Sequence, residues 1–384
     1  MIRAGFGIYY PHDIGNTAFD VTRNQPFTER INSTSNTLIP NATWSAPFPI
    51  IAISTNAPSW VWGDPQPYTP QWTFNVQRSL NSSTTFELGY EGSAGIHLQR
   101  TVYYNDSPPA PPVNNRNLLR PWPDLGFVQA VEAASHSSYD ALQARLQHRF
   151  SQGFTLLSSF SWEKSIDNGS GIRQASGDSY TPPNGANLAA ERGLSAFNFG
   201  KKWTTSGLYL LPFGKGQHML SHANGVVDAF VGGWQLGGIL TFEGGFPFSM
   251  SCQNGSFQNT DAPCRPDATG ISPVLSNPGP SEWYNPAAFV NRLNFVTGVG
   301  PYTFGNAGRN DVVGPGLAAL DASMFKTFNF TERIHLDFRA EAFNLPNHPI
   351  LGQPAATVGV AGEGQITSTR VPSRQMQLSL KLRF

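Results

Sequence analysis

The last ten residues alternate without a break. Met376, Leu378, Leu380, Leu382 and Phe384 are apolar, and Gln375, Gln377, Ser379, Lys381 and Arg383 between them are polar. Successive side chains of a strand point to opposite faces, so this segment has one greasy and one wet face, and about ten tilted residues are enough to cross a bilayer. The same period recurs upstream. In Arg333–Phe343, Ile334, Leu336, Phe338, Ala340 and Ala342 oppose His335, Asp337, Arg339 and Glu341; in Tyr139–Phe150, Leu142, Ala144 and Leu146 oppose Gln143, Arg145 and Gln147. At the start of the chain, Ile2, Ala4, Phe6, Ile8 and Tyr10 alternate with Arg3, Gly5, Gly7 and Tyr9. Period-2 runs bounded by turn residues predict about ten strands, at 2–10, 70–80, 84–104, 138–150, 153–165, 202–213, 230–249, 319–328, 333–343 and 374–384.

The connections between these runs alternate in length. Long ones cover 11–69, 105–137, 166–201, 250–318 and 344–373; short ones are Asn81–Ser83, Ser151–Gly153 and Asn329–Glu332. Transmembrane barrels have short periplasmic turns and longer extracellular loops, and a last strand that finishes in the periplasm puts every one of the long connections outside. Gly214–Ala229 breaks this scheme, because it is long on the periplasmic side. Aromatics gather near the predicted strand ends, with Tyr9, Tyr10, Tyr103, Tyr104, Trp162 and Trp203 on the outer side and Phe150, Phe154, Phe213, Phe230 and Phe384 on the inner, as membrane interfaces favour. Helical signal is confined to Ala130–Ala134 and Asn187–Ala196, each good for a turn or two. The fold class expected is all-β, an antiparallel up-and-down transmembrane β-barrel of which this chain supplies about ten strands. A soluble sandwich or propeller is the alternative, and it leaves the long-short parity unexplained.

Composition sharpens this. Charged residues make up 13% of the 384, where soluble domains average about 25%, and aromatics reach 12%. A wall that meets lipid has less water-facing surface to charge. The 25 basic and 25 acidic residues cancel, which leaves no electrostatic footprint for nucleic acid. No run of about eighteen apolar residues occurs, so any spanning is by strands. The start, MIRAGFGIYYPHD, lacks the features of a signal peptide and reads as the inside of a strand, so residues 1–384 are expected to be the C-terminal part of a longer barrel domain.

Catalytic signatures are missing: there is no GxSxG, HExxH, P-loop or complete GxGxxG, so no enzyme and no cofactor are expected. His218 and His222 have i, i+4 spacing but no third ligand nearby. Cys252 and Cys264 share one polar stretch; outside the cytoplasm a loop disulfide is expected, the alternative being two unrelated thiols.

A chain ending on such a strand, with an aromatic last, resembles bacterial outer-membrane β-barrels, whose last strand carries the assembly signal; Met376, Leu378, Leu380, Leu382 and Phe384 would be that signal here. From about residue 138 onward the resemblance narrows. The runs SSYDALQARLQHRFSQGFTLLSSFSWEKSID, NLAAERGLSAFNFGKKW, YLLPFGKG, GGWQLGGILTFEGGFPFS, FGNAGRNDVVGPG, FRAEAFNLPNHPILGQP and RQMQLSLKLRF together resemble TonB-dependent outer-membrane transporters of the Oar-like type. That resemblance implies a barrel of about twenty-two strands with a plugged lumen, of which these are roughly the last ten. It also implies a plug and a TonB-binding segment ahead of the strands present here.

Residues expected to face the lumen are Arg145, Glu163, Glu243, Asp337, Arg339, Glu341, Lys381 and Arg383, since charge is tolerated there and penalised against lipid. The function expected is energised uptake of an unidentified solute at the bacterial outer membrane. Its partners would be outer-membrane lipid, the barrel-assembly machinery and, through the preceding N-terminal region, the TonB system. A structural or adhesive surface barrel and a secreted β-rich glycan-binding protein are the other classes considered.

Overall fold

The structure, a computed structural model, describes residues 1–11, 57–61, 63–111, 113, 115–124, 126, 128–151, 153–172, 181–252, 263–291 and 302–384. Ten strands form its main sheet: β1 (Ile2–Tyr9), β2 (Thr69–Ser79), β3 (Thr84–Tyr103), β4 (Val128–Ser151), β5 (Phe154–Asp167), β6 (Lys201–Leu210), β7 (Gln235–Glu243), β8 (Leu317–Asn329), β9 (His335–Phe343) and β10 (Gln375–Arg383). Each pairs antiparallel with the next in chain order, an up-and-down meander. Two short pieces join off this path, Ala57–Trp60 parallel to β4 and Gly193–Leu194 antiparallel to β5. β1 and β10 end the order without pairing with each other, so the sheet is open among the described residues.

The register sorts side chains by chemistry. Residues directly opposite in a ladder share a face. One row runs Ile2, Val76, Leu88, Ala144, Phe160, Trp203, Phe242, Ala318, one residue from each of β1 to β8. The row beside it runs Asn75, Gly89, Gln143, Ser161, Lys202, Glu243 and is polar apart from its glycine. A slip of one residue anywhere would trade these rows, so the hydrophobic pattern itself holds the register. The apolar row starts close to the short turns at β2 and β3 and ends at the long-connection rim at β7 and β8. This is the stagger that a tilted barrel wall requires.

The buried apolar core lies elsewhere. Phe248, Met250, Tyr284, Ala288, Phe289, Ala307, Val312 and Val358 pack together above the long-connection rim. Two-residue ladders fix these loops: Pro247–Phe248 with Val312–Val313 and Asp267–Ala268 with Phe289–Val290 fold the connection after β7 onto itself, and Ser251–Cys252 with Thr357–Val358 ties it to the connection after β9. The sheet's apolar face, by contrast, is open: Phe6, Trp162, Leu378 and Leu380 are all exposed.

Several boundaries differ from expectation. β4 begins at Val128 rather than 138, and Ala130–Ala134 is strand, not a helical turn. Val128–Val131 lies between two backbones, Ala57–Trp60 on one side and Thr101–Tyr103 on the other, and ladder bonds on both sides override the helical preference of alanine. Asn187–Ala196 does hold one 3-10 turn, Leu188–Glu191. The 230–249 strand shrinks to β7, and ahead of it stands a helix, α1 (Gly225–Val231). The other ends move by one to three residues, and most of the 11–69 connection lies outside the described residues.

Helix α1 accounts for the length of Gly214–Ala229, the connection that breaks the parity. The Asn224 side chain caps it by accepting from Val227 N at 2.9 Å, and Gly232 N closes it on Asp228 O. Gly214 tucks beneath at φ +114°, where an added Cβ would stand 2.5 Å from Asp228 Oδ1 and 2.7 Å from Gly232 Cα. The loop is then clipped to the apolar face. Trp234 donates to Phe230 O at 2.7 Å and sets its ring edge-on against Phe338, 5.8 Å between centroids. Lys326 sits in the apolar row of β8 opposite Phe338, yet its buried ammonium donates to Gly232 O and lies over the Trp234 and Phe328 rings.

Candidate functional site at the polar face and its loop rim

The eight charged residues singled out in the sequence all fall on the polar face. Arg145 stands opposite Glu87 on β3 and Ser159 on β5. Glu163 and Glu243 belong to one cluster at the long-connection rim. Glu163 is buried; its carboxylate accepts from the Tyr139 hydroxyl at 3.1 Å and from Phe199 N at 3.4 Å. Glu243 accepts from Lys202 Nζ at 2.7 Å on one oxygen and from Arg370 Nη2 at 2.6 Å on the other. Arg370 in turn lies over the Phe246 ring, 4.5 Å from its centroid. The carboxylate of Glu243 therefore ties two strands to the last long connection.

The remaining five cluster on β9 and β10. Asp337 accepts from Thr327 Oγ1 at 2.7 Å, and Arg383 grips both its oxygens, Nε at 2.8 Å and Nη2 at 2.9 Å. That two-pronged geometry is the strong form of an arginine–carboxylate pair. Lys381 is the ladder partner of Asp337. Arg339 pairs with Glu341 along the same strand and lies over Phe325.

Sequence reasoning missed the residues that shape the rim. Arg309 is buried and its Nη1 lies 2.6 Å from Asp167 Oδ1, an ion pair outside hydrogen-bond geometry; the same nitrogen donates to the Asp167 and Glu191 carbonyls, and Nη2 donates to Ser170 Oγ. Arg265 pairs with buried Glu191 at 2.6 Å. Asn310 donates to Leu194 O, and Asn198 accepts from Ser165 N. Gly193 is required where it stands, since a Cβ there would come within 2.2 Å of Arg309 O. The connection after β5 is thus locked to the one after β7 by buried charge. A signal did exist: Glu191, Gly193 and Asn198 lie in NLAAERGLSAFNFGKKW, and Arg309 and Asn310 lie in FGNAGRNDVVGPG.

Cys252 and Cys264 are joined in a disulfide, their Cα atoms 5.3 Å apart. Within the loop core, Tyr284 donates to Ala355 O at 3.1 Å; burial, with the Glu363 carboxylate beside it, pushes this hydroxyl well above its ordinary pKa and keeps it a donor. No group of three or more metal-ligating side chains occurs among the described residues.

A meander sheet, polar on one face and apolar on the other, with a staggered register and long connections on one rim, is the geometry of a membrane barrel wall. The family model described as "Outer membrane beta barrel domain" matches residues 1–377. The chain belongs to this family. Its place is the bacterial outer membrane. Among solved structures, the outer membrane transporter YddB from Escherichia coli superposes over 100% of this chain with a TM-score of 0.54 at 10% identity. The FrpB iron transporter from Neisseria meningitidis and the ferric-catecholate import receptor Fiu from E. coli align over 85% and 82% of it, each at 10% identity, with TM-scores of 0.38 and 0.29. The barrel wall described here spans 38% of the YddB chain, 33% of FrpB and 38% of Fiu. No curated protein sequence matches the chain.

Proposed function

We propose that this wall belongs to a TonB-dependent outer-membrane receptor for energised solute uptake, with its apolar face against lipid and its polar face toward the lumen. The observation that carries the reading is the sorting of faces: every one of the eight charged residues named above shares the face opposite Leu378, Leu380 and Leu382. A lumen that passes polar solute or contacts a plug tolerates such a row, and lipid does not. The likeness of the whole chain to a protein described as an outer membrane transporter supports the same reading at the level of fold. The locked rim supports it as well. Loops tied by Arg309–Asp167 and Arg265–Glu191 form a shaped outer surface of the kind solute capture needs, not a set of free tails.

The test is uptake by cells with and without the protein. A strain lacking the gene, and a second lacking TonB, are supplied with limiting ferric chelates, oligosaccharides or peptides, and accumulation of labelled solute is measured. The expected outcome is loss of accumulation of one solute class in both strains. Unchanged accumulation across all three classes, with loss of cell-surface attachment instead, would replace the transport reading with an adhesive one.

A further inference from the structure

At the long-connection rim the apolar face carries a cleft of about 720 Å³, inside the usual range of ligand pockets. Its wall is the end of the apolar row, Phe160, Trp203 and Phe242, adjacent rungs of β5, β6 and β7, with the Trp203 and Phe242 rings stacked 5.6 Å apart. Its roof is loop: Trp283 and Ile350 lean over from the long connections. Both indole N–H groups are satisfied inside the protein, Trp203 Nε1 on Ser158 Oγ at 2.9 Å and Trp283 Nε1 on Val313 O at 2.8 Å. Lys202 and Glu243 also border the cleft but are paired with each other at 2.7 Å, and His348 lines its loop side, so the lining is mainly apolar. At its edge stands Lys201, exposed and on the same face, as its pairing with Trp162 fixes. No acidic side chain among the described residues comes within ion-pair distance of it, whereas its neighbour Lys202, on the other face, is committed to Glu243.

We infer that this cleft binds an acylated, phosphorylated lipid of the outer leaflet, one acyl chain lying on Phe160, Trp203 and Phe242 beneath the loop roof and a phosphate meeting Lys201. Two observations select this occupant. The cleft is bordered by the end of the apolar row, so a chain in the bilayer would enter it along that face, and Lys201 at its edge offers an exposed cation to a phosphate. A groove floored by lipid-facing rungs and roofed by loop holds a chain more firmly than the open wall elsewhere. The inference rests on the lipid-facing assignment made above.

The full chain is refolded into phosphatidylcholine vesicles containing lipid A, and the inserted fraction is scored by protease protection; this step tests the facing alone. Inserted protein is then extracted in mild detergent and examined by native mass spectrometry. One lipid A retained per chain is expected, with retention of the dephosphorylated form several-fold lower. Lys201→Glu, an exposed substitution that leaves the wall intact, should reduce lipid A retention by roughly five-fold or more, the worth of one lysine at an anionic surface. Ala318→Trp, which fills the cleft from its floor, should abolish it. Equal retention of phosphorylated and dephosphorylated lipid, retention unchanged in Lys201→Glu, or a second protein copy in place of lipid would each overturn the assignment.

Discussion

Ile239 and Leu240 are sequence neighbours of nearly equal size and hydrophobicity in the middle of β7, and only the register tells them apart. Leu240 lies opposite Thr205 and Leu320 in the apolar rows; Ile239 lies opposite Ser206 and Asp321 on the polar face. Arginine at Leu240 would place a charge against lipid near the bilayer midplane, at a cost of about 2–4 kcal/mol. Arginine at Ile239 has a different balance. The isoleucine is already 48% exposed, so its removal forfeits only about half of the full burial value, roughly 1 kcal/mol. A new ion pair with Asp321 across the ladder returns about 0.2–1 kcal/mol. The net change at Ile239 is then near zero to about 1 kcal/mol, and the two substitutions differ by about 1–4 kcal/mol, or roughly 5- to 900-fold in the folding equilibrium. The assay is urea-dependent folding into phosphatidylcholine vesicles, followed by tryptophan fluorescence and protease protection, for wild type, Ile239→Arg and Leu240→Arg. If Ile239→Arg loses as much as Leu240→Arg, or more, the assignment of faces in β7 is wrong and the lipid-facing argument fails with it.

Three further outcomes follow from the rim and the turn side. Arg309→Met leaves the Asp167 carboxylate buried without its cation, which should cost about 3–5 kcal/mol locally; limited proteolysis should cut the connection after β5 while the strands stay protected. Reduction of the Cys252–Cys264 disulfide, which closes a separation of 12 residues, should release about 3 kcal/mol of loop constraint and speed hydrogen exchange in the loop core without altering strand exchange. Lys326→Met keeps the apolar stem but removes the donor to Gly232 O, at about 1.5–3 kcal/mol for a charged hydrogen bond, so exchange should rise across Gly225–Trp234 and not in β9.

The strands and their faces were legible in the chain itself because strand geometry has a period of two and a sheet with one apolar and one polar face preserves it. Alternation in Gln375–Arg383 and His335–Phe343 marks both the element and the side each residue takes, and the eight charged residues could be put on one face before any pairing was known. The parity of long and short connections gave the order, since consecutive antiparallel strands need no crossover. Three things required the tertiary structure. Ala130–Ala134 became strand because two neighbouring backbones offered it hydrogen bonds, information that alanine does not carry. Lys326, a charge in an apolar row, is intelligible only once Gly232, Trp234 and Phe328 surround it, and helix α1 only once that clip holds it. The loop rim, with Arg309 on Asp167, Arg265 on Glu191 and an apolar core drawn from two connections, joins residues up to 142 positions apart with no period to announce them. Local repetition records what the solvent on each side demands of a strand; contacts between distant loops are set by shape and charge that meet only when the wall has brought its ends to one rim.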